Sequence, residues 1–445
     1  MKMNCKTSMI TLLAYVLFVT SFIYSPLKVD AETNFDVQAQ SAILLDVETG
    51  KILFAKDPDI KLPPASMTKM MTEYLVLEAI ENGEISWETT TQISDYAYSI
   101  SADPTFSGIG LTQDKDYTVR QLYEAMAIGS DNATTIALAE LIAGSEGEFV
   151  QKMNEKGKEM GLTDYQFVNS TGLSNTDLGE SYPEGTDPEG EDLLSSKAAA
   201  LLAYRLVTDF PNALEISSQL QTELDGRTLL NLNWMLPHTA TYLVPFKYEG
   251  VDGLKTGYTE KAGYTFTGTA EKNGRRLISV VMKTSSKQAR FQETSKLLDY
   301  GFNQFEKKEL FPKGYQIKGK STIPVAKGKA DTVEIASNEA VQTVVKDGED
   351  ENYSVKYTID EEKLNKDGEL VAPIEKGEKI GKMELVYTGD NDFGYIRNDK
   401  ETVSVDIVTT SSVEKSNWFM LGISGIGQFF SNMFTSVSDT VKGWF

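Results

Sequence analysis

Ser66 and Lys69, three apart in Ser66-Met67-Thr68-Lys69, are the residues whose types and spacing point most directly to chemistry. At a helix start this spacing puts a hydroxyl and an amine on one face, within reach of each other. A serine hydroxyl is a poor nucleophile until a base takes its proton, and a lysine can serve only if its pKa lies well below the ordinary value of about 10.4. Burial and a second nearby ammonium both lower it, and Lys255 in Lys255-Thr256-Gly257 is the obvious second cation. Between these strings stands Ser130-Asp131-Asn132, so three short motifs follow in fixed order. Singly each says little, since Ser412 to Lys415 repeats the Ser-x-x-Lys pattern with no chemistry around it. Composition narrows the menu: Cys5 is the only cysteine and His238 the only histidine among 445 residues. This argues against a cysteine nucleophile, a zinc cluster of His and Cys ligands and a disulfide framework. A nucleophilic enzyme built on this chain must draw its base from lysine or a carboxylate. His238 itself reads as a structural or surface residue.

The elements that must position these residues are legible in outline. Residues 40–46 and 51–55 read as strands joined at the turn Glu48-Thr49-Gly50. Pro63 and Pro64 block helix upstream of Ser66, and Met70, Met71, Tyr74, Leu75, Leu77 and Ile80 supply the apolar face of a buried helix after it. Residues 118–162 read as helices, with Thr118 an N-cap, Gly129 a break and Ser145 with Glu148 a capping box, which leaves Ser130 in a connection. Residues 193–210 read as a further helix. Strands over 264–270 and 276–282 flank an Asn273-Gly274 hairpin turn, and a closing helix spans roughly 286–305. Strands at both ends with helices between them predict helices on an antiparallel sheet, α+β in class. Beyond 305 short alternating runs such as Thr332-Val333-Glu334-Ile335, Gln342-Thr343-Val344-Val345 and Val403–Val408 predict a small all-β domain, a sandwich, over 306–411.

The two ends read as separate units. Lys2 and Lys6 precede an apolar run from Met9 to Ile23, and Val29-Asp30-Ala31 offers small residues, the pattern of a secretory signal peptide over 1–31 cleaved after Ala31. Removing it leaves 40 basic and 64 acidic residues, against 43 and 65 in the full chain, for a formal charge of −24. So acidic a protein is unsuited to nucleic acid, and contact with an anionic wall or membrane must be apolar rather than electrostatic. In the segment 412–445, Phe419, Ile423, Ile426, Phe430, Met433, Val437, Val441 and Trp444 recur at spacings of three and four, with Gln428, Asn432, Thr435 and Asp439 largely on the other side. This predicts an amphipathic helix lying in a membrane surface, too polar on one face to span it. Its glycines at 422, 425, 427 and 443 suit a segment that folds on contact with lipid.

With its three motifs in this order the chain resembles a low-molecular-mass penicillin-binding protein, a serine-type D-alanyl-D-alanine carboxypeptidase. The resemblance runs over about residues 35 to 445, and Ala372-Pro373-Ile374-Glu375-Lys376-Gly377 is similar to a segment of that family's C-terminal domain. It implies a serine β-lactamase/transpeptidase-like catalytic domain over 32–305, peptidoglycan stem peptides as substrate, β-lactams as covalent inhibitors and no metal or organic cofactor. By the same resemblance Ser66 is acylated, Lys69 is its base and Ser130 relays a proton to the leaving amine. Asn132 binds the substrate amide, Lys255 and Thr256 its terminal carboxylate, and Gly257 lets substrate lie against a strand edge. The backbone N–H groups of Ser66 and Tyr258 form an oxyanion hole, and Arg290 is an additional carboxylate contact. Tyr258 stands where several relatives carry histidine. Asn169-Ser170-Thr171-Gly172-Leu173 resembles a family turn, whereas the acidic run from Asp177 to Asp192 has no counterpart and reads as a flexible, charged lip near the site.

The same motifs occur in class A β-lactamases, which also need a glutamate in a Glu-x-x-Leu-Asn setting to activate water. No such string lies between the second and third motifs, so fast penicillin hydrolysis is not expected. Two alternatives stay open: an endopeptidase acting on cross-links, and a wall-binding scaffold without catalysis. Dimerisation through the tail also stays open.

Overall fold

A computed structural model describes residues 35–389, 392–397 and 403–416. Of a small N-terminal unit, Met1–Val37, only residues 35–37 are described, so the fold is that of the unit beginning at Gln38. The expected leader and the amphipathic stripe from Trp418 onward lie outside the described residues.

The first sheet has five strands: β1 (Ser41–Asp46), β2 (Ile52–Lys56), β3 (Val251–Thr259), β4 (Gly263–Lys272) and β5 (Arg275–Thr284). Their order is β2-β1-β5-β4-β3, antiparallel throughout, with Ile43 opposite Val280 and Thr267 opposite Lys255. Asn273 and Gly274 turn β4 into β5 at φ 53° and 76°, the pair of positive values a tight hairpin needs. The strand β3, which carries Lys255-Thr256-Gly257, is the edge of this sheet.

Six principal helices follow the sequence reading closely: α1 (Lys69–Glu81), α2 (Val119–Gly129), α3 (Asn132–Ala143), α4 (Glu146–Met160), α5 (Ser196–Asp209) and α6 (Lys287–Gln304). Thr118 and Gln121 form a capping box on α2, and Asp131, Ser145, Ser195 and Ser286 cap α3, α4, α5 and α6. One boundary differs from expectation. Leu193–Leu194 pairs with Tyr165–Gln166 as a short strand, and α5 starts only at Ser196, because the Ser195 hydroxyl caps it. Helix α1 is buried nearly all round, by Met70, Met71, Tyr74, Leu75, Val76, Leu77 and Ala79, so it is a core helix and not a surface one. Its neighbours in the main core include Tyr123, Ile136, Phe149, Leu202 and Val280.

The second domain is all β. Strands β6 (Phe305–Phe311), β7 (Thr322–Ala326), β8 (Thr332–Ser337), β9 (Val341–Lys346), β10 (Tyr353–Ile359), β11 (Leu370–Val371), β12 (Lys379–Tyr387) and β13 (Ser404–Thr409) form a β6-β9 pair and a six-stranded sheet of order β10-β12-β13-β8-β7-β11. Its own core gathers Val333, Ile335, Val341, Val345, Ile380, Met383 and Ile407. The β domain does not stop at 411 as expected. Val413 exchanges backbone bonds with Ile374, and Ser416 N–H donates to Lys327, so residues 412–416 are extended chain zipped onto it, not the start of a helix.

The two domains are stitched at the β2 edge of the five-stranded sheet. Ile52 N–H donates to the Gly394 carbonyl and Ile396 N–H to that of Gly50, while the largely buried Lys51 reaches the Val344 carbonyl and the Tyr353 hydroxyl. Arg275 adds a second tie: Nε bonds the fully buried Asp46 at 2.8 Å, and Nη1 reaches the carbonyls of Gly301 at 3.1 Å and Phe305 at 2.6 Å. Removing one partner of a buried pair leaves an uncompensated charge, so Arg275→Ala is expected to cost about 3 kcal/mol in denaturant unfolding. Asp46→Asn in that background is expected to return part of the loss, because the stranded charge is gone.

Candidate active site

The site is built around the turn between Pro63-Pro64 and α1. Ala65 adopts φ 49°, in the left-handed region, and residues Ala65–Thr68 make one 3-10 turn before α1 begins at Lys69. This backbone is held from two sides by glycines. A Cβ at Gly257 would sit 2.4 Å from the Pro64 carbonyl oxygen, and one at Gly172 would sit 2.0 Å from that of Ala65. The small residue in Lys-Thr-Gly is therefore required by the protein's own close packing, a reason for glycine that the reading from substrate access did not foresee.

Ser66 is half-buried and Lys69 wholly buried. The Lys69 Nζ lies 3.1 Å from Ser66 Oγ, 2.7 Å from Asn132 Oδ1 and 2.8 Å from the Thr171 carbonyl oxygen. Two carbonyl-type oxygens thus receive two N–H bonds, and the third direction of the amine faces the serine. In the neutral form that direction is the lone pair, and the group is set to accept the serine proton. Burial, and next the Lys255 ammonium, hold Lys69 well below the ordinary lysine value, against the pull of Asp131, Asp192 and Glu146.

Ser130 occupies the junction of α2 and α3 at φ 60°, and its buried hydroxyl has no hydrogen-bond partner among the described residues. Next to it Asp131 caps α3 through the Thr134 N–H and also binds the Ile109 N–H at 2.8 Å, while Asn132 N–H and Nδ2 both donate to the Ser107 carbonyl. On β3, Lys255 and Thr256 are buried. Burial pushes Lys255 down to about 8, opposed by Glu73 and assisted by Arg290. The Tyr258 ring is 52 % exposed and stacks on Tyr264 with centroids 4.4 Å apart. Arg290, on α6, donates through Nη1 to the carbonyls of Gly257 at 3.0 Å and Thr265 at 3.4 Å, so it braces the β3–β4 pair directly behind the third motif. His238 sits elsewhere, its Nε2 2.9 Å from the Asn233 carbonyl oxygen.

Several supports were invisible in the motifs. Asn169 Oδ1 accepts from Thr171 N–H, the Thr171 hydroxyl and Gly172 N–H, which shapes the loop that offers the Thr171 carbonyl to Lys69. Glu146 Oε1 accepts from Ser170 N–H and hydroxyl, and Thr72 donates to the Ser170 carbonyl. Asp192, read as the end of a flexible lip, is instead buried. It accepts from Thr68 at 2.7 Å and from Val168 N–H at 2.6 Å, and burial pushes its carboxyl up to about 7. Glu73 is likewise buried, one turn beyond Lys69. A lone acid in the otherwise apolar run Met70–Leu77 was the one sequence signal that could have found it.

A buried lysine beside a half-buried serine, with a second serine hydroxyl and a second lysine on a sheet edge close by, is the arrangement of a serine hydrolase on the penicillin-binding protein fold. Residues 28–286 match the D-alanyl-D-alanine carboxypeptidase family, and residues 305–415 match the C-terminal domain of penicillin-binding protein 5. The chain belongs to the D-alanyl-D-alanine carboxypeptidase family. It is 35 % identical over 354 residues to D-alanyl-D-alanine carboxypeptidase DacF of Bacillus subtilis, covering 79 % of this chain and 82 % of that one. Among solved structures it resembles a peptidoglycan synthesis regulatory factor (PBP3) of Streptococcus pneumoniae, with TM-score 0.66 and 35 % identity over 85 % of this chain and all of the other. It also resembles penicillin-binding protein D2 of Listeria monocytogenes in its cefotaxime-bound form, with TM-score 0.52 and 32 % identity over 60 % of this chain and 99 % of the other.

Gly172→Ala and Gly257→Ala each force the Ser66 turn to move. Because misplacement by about 1 Å can cost roughly 100-fold in rate, each is expected to slow serine acylation by a β-lactam by at least about tenfold, measured by intact mass against time.

Proposed function

We propose that this protein is an exported, membrane-associated serine carboxypeptidase that removes the terminal D-alanine from peptidoglycan stem pentapeptides. The observation that carries the reading is the threefold environment of Lys69, which presents an amine to Ser66 Oγ and leaves it no carboxylate partner. In the proposed reaction Ser66 Oγ bonds to the carbonyl carbon of the penultimate D-alanine while its proton passes to Lys69 Nζ. Collapse breaks the C–N bond, and the proton returns through the Ser130 hydroxyl to the departing D-alanine amine. Water then cleaves the ester, regenerating Ser66 and releasing the shortened peptide. Asn132 bonds the substrate amide, and the N–H groups of Ser66 and Tyr258 receive the developing oxyanion. Lys255 and Thr256 hold the terminal carboxylate, while Arg290 acts on it through the Gly257 carbonyl it braces and by its charge. A β-lactam, whose ring amide mimics the scissile bond, acylates Ser66 in the same way; its ring C–N bond opens, the amine takes the proton, and that amine stays tethered to the ester instead of departing.

The leader-like N-terminus and the amphipathic pattern from Trp418 support a location at the outer face of the cytoplasmic membrane. Among the described residues no helix is long and apolar enough to cross a membrane. The full chain is expected to cosediment with lipid vesicles and a chain ending at Ser416 to remain in the supernatant; equal sedimentation would refute the anchor.

The central test follows D-alanine release from a peptide ending in Lys-D-Ala-D-Ala by mass spectrometry. Release is expected from the native protein and not from Ser66→Ala. Lys69 must be neutral to act as base, so activity rises as pH climbs through its lowered pKa. Lys255 must remain an ammonium to hold the carboxylate, so activity falls as pH passes about 8. A bell with its alkaline limb near that value is the expected profile of kcat/KM.

A further inference from the structure

Two lysines share this buried site, and the proposed chemistry needs them in opposite states: Lys69 neutral, Lys255 charged. Their burial alone does not decide which one gives up its proton, since both are almost fully enclosed. A third group must break that symmetry.

Glu73 lies four residues after Lys69 on α1, is 3 % exposed, and receives the Tyr123 hydroxyl of α2 on Oε2 at 3.4 Å. Residues four apart share a helix face, and α1, which carries both Glu73 and Lys69, packs on the edge strand β3 that carries Lys255. The amine of Lys69 is fully occupied by Ser66, Asn132 and Thr171, and Glu73 makes no hydrogen bond to it. Glu73 interacts electrostatically with both lysines, and more strongly with Lys255 than with Lys69.

We propose that Glu73 is a positioning residue for the lysine pair, its carboxylate balancing the Lys255 ammonium so that Lys69 is the amine left free to take the Ser66 proton. The inference rests on the catalytic reading above and adds to it a residue that no motif contains. The charges facing the pair are all accounted for. Arg290 from α6 opposes the Lys255 charge, while Asp131 at the head of α3, Glu146 from α4 and Asp192 from the acidic segment face Lys69. Glu73 is the acid whose influence on Lys255 counters its desolvation, and Lys255 in turn is the strongest charge holding Glu73 toward its ionised form. Burial pushes Glu73 up to about 7, so its own titration lies within the working range of the site.

The test compares acylation by a β-lactam bearing the usual carboxylate, read as the adduct on Ser66 by intact mass from pH 5 to 10, in the full chain and in Glu73→Gln. The amide keeps the size of the side chain and an oxygen for Tyr123. Loss of the carboxylate is expected to move the alkaline limb toward acid by about one pH unit or more while acylation below the limb persists. A limb that stays in place, with the rate unchanged or lowered equally at every pH, would overturn the proposal and make Glu73 merely structural. If Glu73→Gln fails to fold, Tyr123→Phe is read instead. Weakened support for the ionised carboxylate is expected to move the same limb the same way by a smaller amount, and an unmoved limb again overturns the proposal. Native protein that forms no adduct, or forms one that survives Ser66→Ala, would defeat the catalytic reading itself, an outcome distinct from an unmoved limb and visible before any Glu73 variant is compared.

Discussion

The site depends on a buried lysine amine that, among the described residues, has no carboxylate in contact. An isolated ammonium in such a place is costly, and the cost falls when the group sheds its proton. Lys69 has two carbonyl oxygens to receive its N–H bonds and a serine hydroxyl in the third direction, an environment that suits the neutral amine better than the ion. The carboxylates that moderate the effect, Asp131, Glu146 and Asp192, are spent on other partners: helix and loop N–H groups, the Ser170 hydroxyl and the Thr68 hydroxyl. They shape the site's potential without capturing the amine.

Such an environment works only if the groups around it stay in place, and the surrounding architecture supplies that stiffness from separate parts of the chain. The Thr171 carbonyl is held by a loop organised on Asn169 and tied to α4 through Glu146. Asn132 is anchored by Ser107 and by its place in the first turn of α3. Ala65, just before the first motif, and Ser130, the first residue of the second, both take positive φ values, a conformation tolerated because Gly257, Gly172 and the helix caps over-determine the backbone there. Arg290 extends the same logic to the third motif by fastening the edge strand β3 through the carbonyl of its glycine.

The second domain has its own core yet is not loosely tethered. It lays residues 394–396 along the β2 edge of the catalytic sheet, opposite the edge that carries the site. Covering that edge removes an unpaired strand, while β3 stays open for an extended peptide to lie beside. Lys51, with its ammonium over the rings of Tyr353 and Tyr387, and Arg275 at the base of α6 make the junction between the domains polar but enclosed.

Much of this was legible in the sequence because it depends on local rules. The hairpin at Asn273-Gly274, the caps at Thr118 and Ser145 and the break at Gly129 all follow from short-range backbone and side-chain preferences. What the sequence by itself determined was a short list of candidate reacting groups, since one cysteine and one histidine leave a nucleophilic enzyme to draw its base from lysine or a carboxylate. What only the tertiary structure decided was the state of those groups. That Asp192 is enclosed under Thr68 and not waving in a loop, that Gly257 is small for the sake of Pro64, and that Glu73 lies within electrostatic reach of Lys255 are consequences of packing between segments more than 120 residues apart. Electrostatics in a buried site is set by distance and desolvation in three dimensions, and neither is written in the order of residues along a chain.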